Sequence, residues 1–83
     1  MYQVFLSRNA EKDLDKINQK DKPHIFAALF DLGKNPYLGK KLKGEFKNYY
    51  SLRVSAYRII YKIYKNRLNI LVVRIGHRQG IYQ

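Results

Sequence analysis

The feature that most constrains the fold is the stretch 48–73, NYYSLRVSAYRIIYKIYKNRLNILVV, because polar and apolar side chains alternate along most of it. Alternation with many aromatic and β-branched residues is typical of half-buried β-strands. The pattern predicts three strands, at about residues 49–54, 57–65 and 68–75. The connections between them are so short that neighbouring strands are expected to be antiparallel.

The first predicted hairpin opposes two like charges. If Ser55 and Ala56 form its two-residue turn, Arg53 lies directly opposite Arg58. Such cross-strand partners project from the same face with Cβ atoms about 4.5–5.5 Å apart, and like charges at that distance destabilise the sheet. We therefore expect an anion, and specifically a phosphate, to lie between the two guanidinium groups.

Alternation gives the predicted sheet two different faces. One face is apolar and is expected to pack against helices; its members are Leu52, Val54, Tyr57, Ile59, Tyr61 and Ile63. The other face carries the arginine pair and Ile60, together with Val73 and Ile75 if the last hairpin turns at residues 66 and 67. Arg74 then points to the apolar side, which favours a structural role for it. No further predicted element covers the basic face, so a second copy or a partner is expected to cover it.

The N-terminal part of the chain predicts a strand at about residues 2–6, followed by two helices. Ser7 is a candidate N-cap for the first helix, which runs to about residue 18. The second helix runs from about residue 21 to a glycine stop at Gly33, and Phe26 and Phe30 widen its apolar stripe. Residues 1–83 are therefore expected to form one α+β domain: an N-terminal strand, two antiparallel helices and a three-strand antiparallel meander.

Positive charge is concentrated in the second part of the chain. The net charge is +11, yet residues 1–33 carry five basic and five acidic residues, while residues 34–83 carry twelve basic residues and one acid, Glu45. This asymmetry indicates a surface for a polyanion, with nucleic acid the leading candidate and a basic surface without a partner the alternative. In the predicted loop at 35–47, Lys40, Lys41 and Lys43 either contact phosphates or are simply solvated.

The composition also excludes several classes of protein. The absence of cysteine excludes disulfides and thiolate metal sites, and it fits a reducing compartment. No apolar run approaches the roughly 18 residues of a membrane span, and nothing resembles a signal peptide, so we expect a cytoplasmic protein with no membrane partner. His24 and His77 are far apart and have no spacing that indicates a metal site.

Four segments in this order resemble the RelE/ParE toxin superfamily of toxin–antitoxin systems. They are VFLSRNAEKDLDKI, NPYLGKKLKG, YYSLRVSAYRIIYKI and VVRIGHRQGIY, and together they extend over nearly the whole chain. The resemblance implies a RelE-like fold and a toxin held inactive by an acidic antitoxin in a hetero-oligomer. RelE-like members cut mRNA in the ribosomal A site without a metal or cofactor, which implies the ribosome and mRNA as partners. Other members of the superfamily poison gyrase without nuclease activity. A third possibility is a nucleic-acid-binding module without activity.

The resemblance also implies site residues. Arg53 and Arg58 fall at basic strand positions of the nucleases, Arg78 at the arginine after the last strand, and Tyr82 at the tyrosine near the C-terminus. Ser51 departs from the pattern, because some of these nucleases carry a second lysine or arginine there.

These residue types suit metal-free RNA cleavage, which needs a base for the 2′-OH proton, cations for the phosphorane and an acid for the 5′-oxygen. Arginines suit the phosphorane, since they are always charged and poor proton carriers. Tyr82 can stack on a base or deliver a proton. Histidine is the side-chain type that ordinarily changes charge near neutral pH, so His77 is a further acid–base candidate. The alternative is that His77 is a hydrogen-bonded histidine at a strand end.

Overall fold

The computed structural model describes residues 1–77 and contains two helices and one five-stranded sheet. The elements in chain order are β1 (Gln3–Leu6), α1 (Arg8–Asp15), α2 (Lys22–Lys34), β2 (Lys40–Lys41), β3 (Tyr50–Val54), β4 (Tyr57–Tyr64) and β5 (Asn69–His77). Two short 3-10 turns lie between strands, at Gly44–Phe46 and Lys65–Arg67. Neither helix in this part of the chain is long and apolar enough to cross a membrane.

The sheet has the strand order β1-β5-β4-β3-β2. Strands β3, β4 and β5 form the predicted antiparallel meander, and β1 joins it as a parallel neighbour of β5, with Gln3 opposite Asn69. Parallel neighbours require a long crossover connection, which the two helices and the intervening strands provide. The α+β class is therefore confirmed, while the parallel attachment of β1 goes beyond what alternation alone predicted.

Local chemistry explains where the two helices begin and end. The Ser7 side chain accepts a hydrogen bond from the backbone N–H of Ala10 (3.1 Å), as expected of an N-cap. Helix α1 ends at Asp15, earlier than predicted, although Ile17 beyond it is still buried. Phe26 and Phe30 do not widen the buried stripe of α2, since their side chains are 53% and 59% exposed.

The core lies between the helices and the predicted apolar face of the sheet. Ile25 and Leu32 of α2 are fully buried, and so are Ile59 and Tyr61 of β4. All six residues that alternation assigned to this face belong to the core cluster or pack against it, as predicted.

The segment before β3 is more ordered than the predicted loop at 35–47. The Tyr61 hydroxyl donates to the Pro36 carbonyl oxygen (2.8 Å) and accepts from the Gly39 N–H (2.9 Å). Gly39 approaches so closely that a Cβ there would lie 2.6 Å from the Tyr61 hydroxyl oxygen and 2.9 Å from the Ser51 carbonyl oxygen. Burial raises the pKa of Tyr61 to about 12. This anchor holds the chain where Lys40 and Lys41 pair with β3 as a short edge strand.

Candidate functional site

The structure pairs the two arginines as the sequence predicted. Val54 is the partner of Tyr57 across a two-residue turn, so Arg53 is directly opposite Arg58. Ser55 makes this turn possible by adopting a φ of 55°, in the left-handed region that turns of this kind require. Arg53 is exposed and Arg58 is half-buried. Both lie on the face of the sheet turned away from the core, which we call the outer face.

Two lysines extend the positive charge of the outer face. Lys40 is the cross-strand partner of Ser51, so the edge strand places a cation directly beside the position at which the resemblance lacked a base. Lys62 falls on the outer face by alternation from Arg58, and its amine lies 4.7 Å from the centre of the Tyr49 ring. Sequence reasoning overlooked Lys62, although its spacing of four residues from Arg58 along a strand was sufficient to find it.

The three lysines predicted to bind RNA do not lie together. Lys40 belongs to the outer face, whereas Lys41 pairs with Tyr50 and projects from the opposite face. Lys43 is exposed just before the turn at Gly44–Phe46. Their RNA-binding role stays a prediction, and these positions divide it between two surfaces.

The outer face is not open over its whole length, contrary to expectation. Ile60 is only 5% exposed and Ser51 only 9%. The segment between β2 and β3 folds against this face: Phe46 and Tyr49 line a groove of about 370 Å³ together with Ile60. A hydrogen bond of 2.9 Å from the Leu42 N–H to the Tyr49 carbonyl oxygen closes the base of the segment. The segment between β2 and β3 therefore covers Ile60, and the basic residues of the outer face lie beside the covered part.

A β-bulge changes the faces of β5. Tyr61 is opposite Val72 as the predicted register requires, but Ile60 is opposite Arg74, which makes Val73 an extra residue. Val73 lines the groove beside Ile60, as expected. Arg74 was expected on the apolar side and instead shares the outer face with Ile60. Ile75 was expected on the outer face and instead belongs to the core, where it is 2% exposed.

The N-terminal helix holds this bulge in place. The Ser7 hydroxyl donates to the Val73 carbonyl oxygen (3.0 Å). The Asp13 carboxylate accepts from the Ile75 N–H (2.9 Å) and from Arg74 Nε (2.8 Å). These contacts raise the pKa of Arg74, first through the hydrogen bond and then through the charge of Asp13. The ion pair supports the structural role predicted for Arg74, although the face had been assigned wrongly.

His77 lies on the other side of the sheet from the arginine pair. It is the cross-strand partner of Tyr57, and the two rings stack with centroids 4.8 Å apart. The Tyr57 hydroxyl donates to the Asp21 carboxylate (2.9 Å), and this bond, aided by burial, raises the pKa of Tyr57. Since Tyr57 and Arg58 are consecutive strand residues, their side chains point to opposite faces. The structure thus separates His77 from the arginines that it was predicted to assist.

The remaining predicted site residues, Arg78 and Tyr82, lie outside the described residues. Within residues 1–77, no three histidine, aspartate or glutamate side chains come together as a metal site requires. The described part of the outer face presents guanidinium and ammonium groups but no histidine. Chemically it can bind and stabilise an anion, while any proton transfer needs a group from elsewhere.

Comparison with known proteins gives consistent matches over almost the entire chain. A family model described as the ParE toxin of the type II toxin–antitoxin system parDE matches residues 4–82. Toxin RelG of Mycobacterium tuberculosis is 32% identical over 88 residues, which cover 99% of this chain and 97% of the relative.

Solved structures agree with these matches. The toxin–antitoxin complex RelBE2 of M. tuberculosis contains a chain with a TM-score of 0.88 and 29% identity, covering 93% of this chain and 98% of that one. The isolated RelE toxin of E. coli has a TM-score of 0.81 at 20% identity, covering 93% of this chain and 84% of that one, and it supports the fold alone.

Proposed function

The chain belongs to the ParE toxin family of type II toxin–antitoxin systems, and from this premise we propose that it is a metal-independent endoribonuclease that cuts mRNA on the ribosome. The observation that carries the proposal is the Arg53–Arg58 pair. Two opposed guanidinium groups suit a scissile phosphate, because both can donate hydrogen bonds to its oxygens. Lys40, on the outer face beside Ser51, adds a third cation near the pair.

The proposed reaction follows from these charges. The 2′-oxygen of the ribose attacks phosphorus while a base removes its proton, and the bond from phosphorus to the 5′-oxygen breaks as that oxygen gains a proton. Arg53 and Arg58 stabilise the phosphorane between these events, because guanidinium groups match the geometry of phosphate oxygens. By resemblance, Arg78 and Tyr82 supply further charge and proton transfer. The position of His77 favours its structural alternative.

We propose two kinds of partner for this toxin. The first is an acidic antitoxin, whose carboxylates would neutralise the arginine pair while its apolar side chains enter the groove of Phe46, Tyr49 and Ile60. Relatives support it, since RelBE2 is a toxin–antitoxin complex. The second is the ribosome with its bound mRNA, approached through the same positive charge.

Induced expression in bacteria tests the proposed function. Wild-type protein is expected to arrest growth and to generate new mRNA 5′ ends within translated reading frames, and co-expression of the cognate antitoxin should reverse both. Arg58→Ala should lose both effects while still co-purifying with the antitoxin. Lys12→Ala, an exposed lysine on α1, is the matched control and should behave as wild type.

The family model's ParE name favours a second candidate, a toxin that poisons DNA gyrase without cutting RNA. The two candidates predict different failures in the same cells. Growth arrest with intact mRNA, together with inhibition of supercoiling by purified gyrase, would establish the second and reject the nuclease. New mRNA ends with unimpaired supercoiling would establish the first.

A further inference from the structure

We propose that the protein has a second RNA-binding site, a groove that binds unpaired nucleotides at some distance from the arginine pair. The groove has a volume of about 420 Å³ and lies where β4 ends and the edge strand meets β3. Three tyrosines and three lysines dominate its lining, and we call it the tyrosine–lysine groove: Tyr37, Tyr50, Tyr64, Lys41, Lys62 and Lys65.

The aromatic part of the groove offers open ring surface. Tyr37 is 49% exposed and Tyr64 is 41% exposed, so a large part of each residue is accessible to a ligand. Proteins that bind single-stranded nucleic acid stack bases on such rings, because every base has a flat π surface and no particular sequence is needed. Exposed tyrosines in a concave site therefore fit an unpaired base better than they fit a duplex.

The floor of the groove is rigid. Tyr50 stacks on Tyr61 with ring centroids 5.5 Å apart, and Tyr37 contacts Tyr50 edge to face at 6.0 Å. Tyr61 is fully buried and anchored to Pro36 and Gly39 on either side of Tyr37. The platform is thus formed before a ligand arrives, which lowers the entropic cost of binding.

The charge of the groove selects an anion. Its three lysines are accompanied by no acidic side chain among the lining residues. The groove also accounts for Lys41, which the strand register turns away from the arginine pair. Sites for single-stranded nucleic acid combine positive charge along the phosphate backbone with aromatic rings on which the bases stack.

The position of the groove relative to the arginine pair fits one continuous strand of RNA. Tyr50 and Arg53 are three residues apart on β3, about 10 Å along the strand, and alternation turns their side chains to opposite faces of the sheet. Lys62 lines the groove and also falls on the outer face by alternation from Arg58, and Lys40 shares that face, so positive charge continues from the groove to the face of the arginine pair. An RNA with its scissile phosphate at the arginine pair can therefore place a flanking segment in the groove.

The inference takes RNA as the ligand from the proposed function, but its test requires no cleavage. Binding of a fluorescent, fully 2′-O-methylated, uridine-rich RNA is measured by anisotropy over a series of salt concentrations. The double variant Lys41→Ala/Lys65→Ala should flatten the slope of log affinity against log salt by about 1.4, from about 0.7 for each lost lysine contact on single-stranded nucleic acid. Tyr37→Ala and Tyr64→Ala should each weaken binding about 5- to 100-fold with the slope unchanged.

The double variant Lys12→Ala/Lys20→Ala is the matched control. Both lysines are exposed, and both belong to residues 1–33, which carry no net charge. If it flattens the slope as much as the groove variant does, binding is delocalised and the inference is wrong. The inference is also wrong if the groove variants bind RNA as wild type does but no longer bind an acidic antitoxin. Groove-dependent binding by a protein that leaves ribosome-bound mRNA intact would support the groove and reject the nuclease.

Discussion

Arg53 and Arg58 face each other directly across the β3–β4 hairpin, on the face of the sheet turned away from the core. Like charges at directly opposed strand positions are destabilising as a rule, by up to about 1 kcal/mol. A sheet in which either arginine stood one residue earlier or later on its strand would avoid this cost. The presence of the arginine pair is explained if a phosphate lies between the two guanidinium groups during function.

Replacing Arg53 should therefore separate stability from activity. We expect Arg53→Ala to leave the free energy of unfolding unchanged or to raise it by up to about 1 kcal/mol, because the repulsion is removed. The rate of mRNA cleavage should fall by about 10²-fold or more. Urea denaturation and a cleavage assay on the same preparation measure both effects, with exposed Arg8→Ala as the control. A marked loss of stability without loss of cleavage would assign Arg53 to the fold.

Gly39 should tolerate no side chain. A Cβ there would lie 2.6 Å from the Tyr61 hydroxyl oxygen and 2.9 Å from a backbone carbonyl oxygen, so Gly39→Ala must displace the buried tyrosine or the edge strand. We expect the free energy of unfolding to fall by about 1–3 kcal/mol. The neighbouring Lys40→Ala, on an exposed side chain, should change it by less than about 0.5 kcal/mol. Equal stability of the two variants would mean that the neighbours of Gly39 move aside for a Cβ at little cost.

Asp13 should matter more to the bulge than Arg74 does. Asp13→Ala removes the acceptor of the Ile75 N–H as well as the ion pair, and should cost about 1–3 kcal/mol of unfolding free energy. Arg74→Ala loses only a partly exposed ion pair and should cost less than about 1 kcal/mol. Urea denaturation of both variants measures the difference. A larger loss from Arg74→Ala would contradict this account of how the bulge is held.

Alkaline pH should destabilise the fold through Tyr61. Its pKa is raised from 10.0 to about 12 by burial, so the folded state binds more protons than the unfolded state between these values. The stabilising contribution is therefore complete below pH 10 and is lost as pH rises towards 12. Urea denaturation between pH 9 and pH 11 should show a smaller decline for Tyr61→Phe than for wild type. Tyr64→Phe, at an exposed ring, should decline as wild type does.

The sequence was sufficient for the parts of the fold that depend on strict alternation. The register that opposes Arg53 and Arg58, and the apolar face beneath the helices, follow directly from a period of two residues. Alternation failed in β5 after Val72, because one extra residue at Val73 reverses the face of every later side chain of that strand. The cause of this bulge is tertiary: Ser7 and Asp13 of the N-terminal segment supply its hydrogen bonds, and no local pattern indicates them.

The candidate site was predictable to a similar degree. The residues of β3 and β4 were placed on the correct faces, whereas the segment that covers Ile60 has no periodicity from which its path could be inferred. Composition identified Lys40 and Lys41 as basic but could not divide them between two faces, since this requires the pairing of the edge strand. The separation of His77 from the arginines follows from the same bulge.

The central claim is that both arginines act on one phosphate, and a double-mutant cycle on cleavage tests it most directly. The single-turnover rate of mRNA cleavage on programmed bacterial ribosomes is measured for wild type, Arg53→Ala, Arg58→Ala and the double variant, after circular dichroism has shown that each is folded. We predict that each single variant is about 10²–10³-fold slower. The double variant should be much faster than the product of the two single effects predicts, because residues that act as a unit are not additive. A double variant whose rate equals the product of the two single effects would contradict action on one phosphate, and equal rates for all four proteins or no cleavage by ribosome-bound wild type would contradict the whole account.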